Sequence, residues 1–318
     1  MTSRAGLLAF LMVLGVGWGL TQPLSKIAVS TGHQPFGLIF WQLVIGTALL
    51  GAISLARGRG LPLRPRAILF CTFIAFVGTI FPNGLSYAAY NHLPAGIMSI
   101  IISTVPLMAL PLAVALGTDR VSGAKLAGLA LGLAGVALIA LPDASLPGRG
   151  SEIWLLIAPA APMFYAVEGN VVARWGTAGL DPVQAMFGAS AIGAVIALPL
   201  SLASGQWIDP VRDYAAPEFA LILSSVVHAL MYAGYVWLVG HAGAVFAAQC
   251  SYLVTGAGVL WSMTLLGENY APTVWAALCV LLFGIFLVQP RAGLRPNPSL
   301  LATLGRPDSI PAEPGRPD

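Results

Sequence analysis

The chain has 318 residues, of which 58% are hydrophobic and only 8% charged, with a formal net charge of +3. Soluble domains carry about a quarter charged residues, so the composition excludes an ordinary soluble globular protein. The small positive balance is set by membrane topology and gives no reason to expect a nucleic-acid partner.

Apolar stretches nearly free of charge run at 5–25, 36–56, 67–90, 94–116, 124–141, 153–173, 182–204, 219–240, 242–266 and 269–289. A helix needs about 20 residues to cross a hydrocarbon core of about 30 Å. No stretch alternates apolar and polar residues as barrel strands do. The expected fold is therefore an all-α integral membrane protein with ten transmembrane helices. The first stretch, one Arg followed by an apolar run, has no convincing small-residue cleavage site and precedes further spans, so it reads as the first span rather than a signal peptide. Gly15 and Gly19 in the first span, and Gly128 and Gly132 in the fifth, have the four-residue spacing that lets helices approach closely in lipid. Internal packing is preferred over a dimer seam. Pro82 in the third span and Pro106 and Pro111 in the fourth each remove a backbone hydrogen bond and predict kinks. Cys71, Cys250 and Cys279 all fall inside spans, with no disulfide framework or metal-ligand spacing.

The two halves resemble each other. An offset of 147 pairs Gly32 with Gly179, Pro35 with Pro182, Phe40 with Phe187 and Gly46 with Gly193; an offset of 149 pairs His92 with His241, Asp119 with Glu268 and Gly135 with Gly284. The predicted organisation is a first five-helix repeat over 1–141, an external linker over 142–151, a second repeat over 152–289 and a disordered cytoplasmic tail over 290–318. Five is odd, so the second repeat enters the membrane inverted, as in many secondary transporters. With the N-terminus cytoplasmic, the inside segments hold Arg4, Arg57, Arg59, Arg64, Arg66, Arg120, Lys125, Arg174, Arg291, Arg295, Arg306 and Arg316, while the outside loops hold only Lys26, Arg149 and Arg212. That bias puts both termini in the cytoplasm.

Glu168 is the only carboxylate well inside a span, roughly 8–10 Å from its cytoplasmic end by helical rise, and charges at such depth usually face a cavity. His228 lies near the middle of the eighth span and can donate, accept or titrate. Both are candidates for proton coupling, and each also has a structural reading, as a hydrogen-bonded or packed side chain. Trp18, Ser103, Thr104 and Tyr252 fall at the depth of His228, and Tyr232 and Gln249 at that of Glu168; these six are the candidate cavity residues. Gln22, Asn83 and Tyr87 lie further out. Asp119 and Glu268 end the fourth and ninth spans and are expected to cap the fifth and tenth, whose helix dipoles favour a carboxylate there. No Lys or Arg occurs at mid-depth, which argues against phosphorylated solutes. Gly84-Leu85-Ser86 with His228 is a weak hint of an intramembrane hydrolase. No metal, cofactor or nucleotide motif is present.

Gly17-Trp18-Gly19 in the first span, Pro35 opening the second, Gly117-Thr118-Asp119 before the fifth and Gly267-Glu268 before the tenth resemble the EamA type of the drug/metabolite transporter superfamily. The resemblance covers roughly residues 5–290. It implies a metabolite exporter with both termini inside and a central cavity between the repeats. Asp119 departs from the glutamate usual in the first copy, which leaves a capping role intact. The expectation is a secondary transporter of the inner (plasma) membrane, not an enzyme, exporting a small amphipathic solute such as an amino acid or drug-like compound by alternating access. Its partners are that small-molecule solute and the lipid bilayer, with a homodimer left open. The alternatives are a membrane-embedded hydrolase and a non-transporting assembly protein.

Overall fold

The computed structural model describes residues 4–139, 151–242, 244–247 and 249–288. The expected external linker as far as residue 150 and the expected tail over 290–318 lie outside them. Every regular element among the described residues is helical.

Four helices run unbroken: α1 (Arg4–Val29), α2 (Pro35–Ala56), α10 (Pro182–Ala203) and α11 (Ala216–Ala242). Both α2 and α10 start on a proline, whose missing N–H would have no helical partner there. Asp181 closes a capping box with Gln184 at the start of α10.

Three of the other apolar stretches are interrupted where proline removes a donor, and one divides without a proline. The third comprises α3 (Pro65–Phe73), a π-helical segment (Ile74–Ile80) and α4 (Phe81–Tyr90). Pro82 cannot donate to the Gly78 carbonyl, and the looser π register ends just before it. The fourth breaks between α5 (Ala95–Ile102) and α6 (Val105–Ala115), because Pro106 has no N–H for the Ile102 carbonyl. At that break the Ser103 and Thr104 hydroxyls donate to the carbonyls of Ile100 and Ile101, at 2.7 and 2.6 Å. Pro159 separates α8 (Ser151–Ile157) from α9 (Ala160–Trp175), and the chain before Leu266 divides into α12 (Ala244–Ala247) and α13 (Cys250–Leu266). The remaining helices are α7 (Gly123–Ile139) and α14 (Pro272–Val288).

Joined across their breaks, seven helices are long and apolar enough to cross a membrane, and α7, α13 and α14 are shorter apolar helices. At 17 residues each, these three reach about 26 Å at 1.5 Å per residue. Large apolar side chains such as Leu69, Leu156 and Val195 point outward, the pattern of a bundle whose solvent is lipid. The protein is an all-α, multi-pass integral membrane protein.

Helix neighbours come in matched sets. The pair α7 with α14 and the pair α2 with α10 each join corresponding helices of the two halves; α1 packs on α11 and α13, while α9 packs on α4 and α6. Small residues make these contacts close. A Cβ at Gly284 would lie 2.7 Å from the Gly128 carbonyl and 3.0 Å from the Gly132 nitrogen, and one at Gly15 would meet Leu253 of α13 at 2.2 Å. Both glycine stripes are thus used inside the bundle. The α2–α10 pair is tied at both ends. At one, Arg59 reaches Asp181 at 3.0 Å and the Gln184 amide donates to the Gly60 carbonyl at 2.6 Å. At the other, the Phe36 N–H donates to Gln206 at 2.9 Å and the Trp41 indole to the Ile208 carbonyl at 2.9 Å. Partial burial pushes the Asp181 carboxyl up, but the N–H groups of Gln184 and Val183 and the guanidinium of Arg59 outweigh it and hold the group below its ordinary value.

A side chain at Gly284 has backbone on two sides and nothing flexible to displace. Gly284→Val should therefore lower the stability of the detergent-purified protein by about 1–3 kcal/mol, read as a fall in its melting midpoint. Gly169→Ala, where a new Cβ meets nothing within 4 Å, should be neutral or slightly stabilising. Equal effects at the two sites would refute the close-packed α7–α14 seam.

Candidate functional site

A cavity of about 420 Å³ lies inside the bundle between the two halves, within the usual range for small-molecule sites. Two helices supply polar stripes of identical spacing. Trp18, Thr21, Gln22 and Ser25 of α1 fall at i, i+3, i+4 and i+7, and so do Asn83, Ser86, Tyr87 and Tyr90 of α4, which puts each set on one helical face. Gln42 of α2, Ser99 of α5, Tyr165 of α9, Ser224 and His228 of α11, and Thr255 of α13 complete the polar wall, with Ser103 at the α5–α6 break.

Trp18 and His228 meet directly. The indole N–H of Trp18 donates to Nδ1 of His228 at 3.0 Å. An indole nitrogen can only donate, so Nδ1 is the acceptor and the imidazole is the neutral tautomer carrying its proton on Nε2. Around the Trp18 ring, His228, Tyr235 and Tyr232 stand edge-on at centroid distances of 5.5, 5.9 and 6.3 Å. Depth counting sets Trp18 level with His228 and Tyr232 level with Glu168; the ring contact brings Tyr232 to Trp18 as well, and Tyr232 borders a smaller adjoining void of about 60 Å³ rather than the main cavity.

That void shares Gln42, Asn83, Tyr165 and His228 with the main cavity. A hydrogen-bonded rail follows the shared wall: the Tyr165 hydroxyl donates to Asn83 at 2.7 Å, the Asn83 amide to Gln42 at 3.1 Å and the Tyr87 hydroxyl to the same Gln42 oxygen at 3.0 Å. Gly78 of the π-helical segment also borders the void, and a Cβ there would lie 2.7 Å from Oε2 of Glu168. Glu168 thus stands behind Tyr165, one turn further along α9, and not among the residues bordering the main cavity. Its neighbours in sequence do not pair with it. Asn170 donates to the carbonyls of Ala109 and Ala166, and the Arg174 guanidinium lies 5.8 Å from the Trp175 ring. Among the described residues the Glu168 carboxylate has no hydrogen-bond or ion-pair partner.

The remaining candidates are spread out. Ser103 borders the cavity, whereas Thr104 is buried in the same break with its hydroxyl turned to the Ile101 carbonyl. Gln249 is exposed just before α13, so equal depth did not bring it to the cavity. Tyr252 packs against the main apolar core, and its buried hydroxyl has no partner among the described residues. Among those residues no group of His, Cys, Asp or Glu is placed to hold a metal.

The caps differ from expectation. Glu268 does not cap α14. Its carboxylate accepts the N–H groups of Ala95 and Gly96, at 2.8 and 3.2 Å, and the Tyr270 hydroxyl, and so caps α5 from the other half of the chain. Beside it Lys26 donates to the carbonyls of Tyr90 and Leu93, and Tyr90 to Gln22, which seals this end of the cavity. Asp119 instead takes Lys125 at 2.5 Å and the N–H of Arg120, and the backbone N–H of Lys125 is received by Ser122 at 3.3 Å. Sequence proximity pointed each acid at the next helix, but α5 starts on Pro94 with no cap of its own, and the fold brings Glu268 to it.

A family model described as the EamA-like transporter family matches residues 5–141 and again 152–289. The uncharacterized transporter YvbV of Bacillus subtilis (strain 168) is 29% identical over 296 residues, which cover 92% of this chain and 93% of that protein. The uncharacterized inner membrane transporter YedA of Escherichia coli (strain K12) is 25% identical over 285 residues, covering 87% and 89%. A solved crystal structure superposes with a TM-score of 0.61 at 18% identity, covering 90% of this chain and 96% of that one, a likeness of fold.

The two acids should separate on mutation. Glu268→Ala removes a cap on a buried helix start and should lower stability by about 1–2 kcal/mol. Asp119→Ala breaks a partly buried pair with Lys125 at a loop, while Ser122 still receives the Lys125 N–H, and should lose no more than about 1 kcal/mol. Melting midpoints in detergent measure both. Equal losses would restore the symmetric capping expected from sequence.

Proposed function

Because the chain belongs to the EamA-like transporter family, we propose that it is a secondary transporter moving a small amphipathic solute by alternating access around the central cavity. The observation that carries the reading is the cavity itself: a polar and aromatic chamber between the halves of an otherwise apolar bundle. Ten spanning helices in two inverted repeats, 1–141 and 152–289, are supported by the double family match and by the matched helix pairs. Broken helices beside a central cavity suit such a mechanism, since they allow one half to rock on the other. The basic-residue bias favours cytoplasmic termini in an inner (plasma) membrane, and the family resemblance favours export.

Glu168 is the residue we assign to proton coupling. It is acidic, lies within α9 and has no partner among the described residues to hold it ionised. It also meets the cavity wall through Tyr165 and the rail of Asn83 and Gln42. His228, the second candidate, is committed to Trp18 as a neutral acceptor and serves the solute. A hydrolase built on Ser86 and His228 is less well supported. A nucleophile needs a hydrogen bond to its base, and the buried Ser86 hydroxyl has no partner among the described residues.

Reporter tags at Arg64 and at the C-terminus should face the cytoplasm and tags at Pro147 and Asp213 the outside; a cytoplasmic Pro147 would end the ten-span inverted model. In proteoliposomes, Glu168→Gln should abolish accumulation driven by a pH gradient while exchange at equal pH survives, because an amide of the same shape cannot titrate. Retained gradient-driven accumulation would return Glu168 to a structural role. Trp18→Ala should raise the apparent KM about tenfold, an effect of ~1.4 kcal/mol for one aromatic contact, at unchanged membrane abundance.

A further inference from the structure

We infer that the cavity takes an uncharged solute, one with a ring and hydrogen-bonding groups but no net charge and no zwitterionic pair; this rests on the transport reading above and narrows its substrate. Among the described residues bordering the cavity there is no Asp, Glu, Lys or Arg. The segment 236–248, parts of which lie outside the described residues, contains none in its sequence either. The one imidazole there, His228, accepts the Trp18 indole N–H at Nδ1 and is neutral in this arrangement. A full charge moved from water into such a chamber loses hydration with no opposite charge to offset it.

Backbone charge at the helix breaks does not fill the gap. At the start of α6 the N–H groups of Leu107 and Met108 are both spent on the Thr104 carbonyl, at 2.9 and 3.1 Å, and Pro106 has none. A carboxylate therefore finds no nest of donors there. At the end of α5 the carbonyls of Ile100 and Ile101 accept the Ser103 and Thr104 hydroxyls, and the Ile102 carbonyl that Pro106 leaves without a helical donor is one acceptor, not the ring that an ammonium's three donors need. The start of α13 at Cys250 also borders the cavity, and its dipole offers a partial charge suited to a carbonyl oxygen rather than a counter-ion.

What the wall does offer matches a neutral ring compound. Trp18 and Tyr235 supply aromatic surface, and Ser86 is a buried hydroxyl with no partner among the described residues. A buried polar atom left unpaired is costly, and a solute hydroxyl or amide would satisfy it. Glu168, the nearest deep charge, stands behind Tyr165 and outside the chamber.

The test uses the full chain purified in detergent and ring scaffolds in four charge forms each: for phenyl, N-acetylphenylalanine amide, phenylalanine, phenylethylamine and phenylacetate, with the same four forms built on indole. Equilibrium dialysis should find an uncharged member binding at least tenfold more tightly than the zwitterion of the same ring, with binding lost in Trp18→Ala. A zwitterion or ion that binds as tightly as its uncharged counterpart, or the absence of binding by any uncharged member, overturns the inference. Counterflow in proteoliposomes separates the two readings. An uncharged compound that binds but is not exchanged would sink the transporter and leave the charge rule standing, whereas exchange of a zwitterion would do the reverse.

Discussion

Backbone amides have no partners in lipid, and this constraint shapes the rest of the molecule. A helix can be interrupted inside the bilayer only where protein or an internal cavity satisfies the groups it frees. The interruption at Ser103–Thr104 answers that demand in part with side-chain hydroxyls, which donate to the carbonyls of Ile100 and Ile101 in the last turn of α5. The same residues lie beside the chamber. The break and the cavity are thus one feature, because a polar interior makes an irregular backbone tolerable and the irregular backbone keeps that interior polar.

Around this centre the bundle divides into seams of different character. The α7–α14 seam brings backbone against backbone through Gly128, Gly132 and Gly284. The α2–α10 seam is tied by polar contacts at both ends. Neither seam leaves slack for sliding. Of the walls that carry the cavity, α1, α2 and α11 run unbroken, while α4 beyond its π-helical segment, α5 with α6, and α13 belong to divided stretches. Adjustment between access states is easiest there, since a proline break absorbs a change of angle without sacrificing a hydrogen bond. The end sealed by Glu268, Tyr270 and Lys26 consists of side chains reaching to backbone, which can part without unfolding a helix.

Much of this was legible in the sequence and some of it was not, for physical reasons. Long apolar runs announce membrane helices whatever they pack against, and Pro82 and Pro106 announced the kinks. Pro159 did the same work unnoticed, because it lies near the start of a span where proline is usually harmless. Counting depth put Trp18 level with His228, which it meets, since rise along a helix needs no knowledge of neighbours; it put Tyr232 at the level of Glu168 and did not foresee its contact with Trp18. It misplaced Gln249, because depth says nothing about which face a residue occupies. The face was nonetheless written in the chain: the i, i+3, i+4, i+7 stripes from Trp18 to Ser25 and from Asn83 to Tyr90 mark two polar faces on apolar helices, and with Gln42 and Tyr165 they supply much of the polar lining. The Glu268 cap was beyond sequence reasoning, because its target lies 173 residues away and only the folded chain makes them neighbours.

On the transport and proton-coupling reading proposed above, the separation between the chamber and Glu168 would give the site a division of labour. If the deep carboxylate bordered the chamber, every solute would have to accommodate its charge in one protonation state or the other, and solute and proton would compete for the same place. Set behind Tyr165, it can change charge while the solute meets only hydroxyls, amides and rings. The link between the two is the Tyr165–Asn83–Gln42–Tyr87 rail, in which each member is held by the next. Reorienting one amide in such a rail reverses which partners donate along it, so a change at Glu168 can reach the solute as a change in the hydrogen-bonding pattern of the wall, without a charge ever entering the chamber.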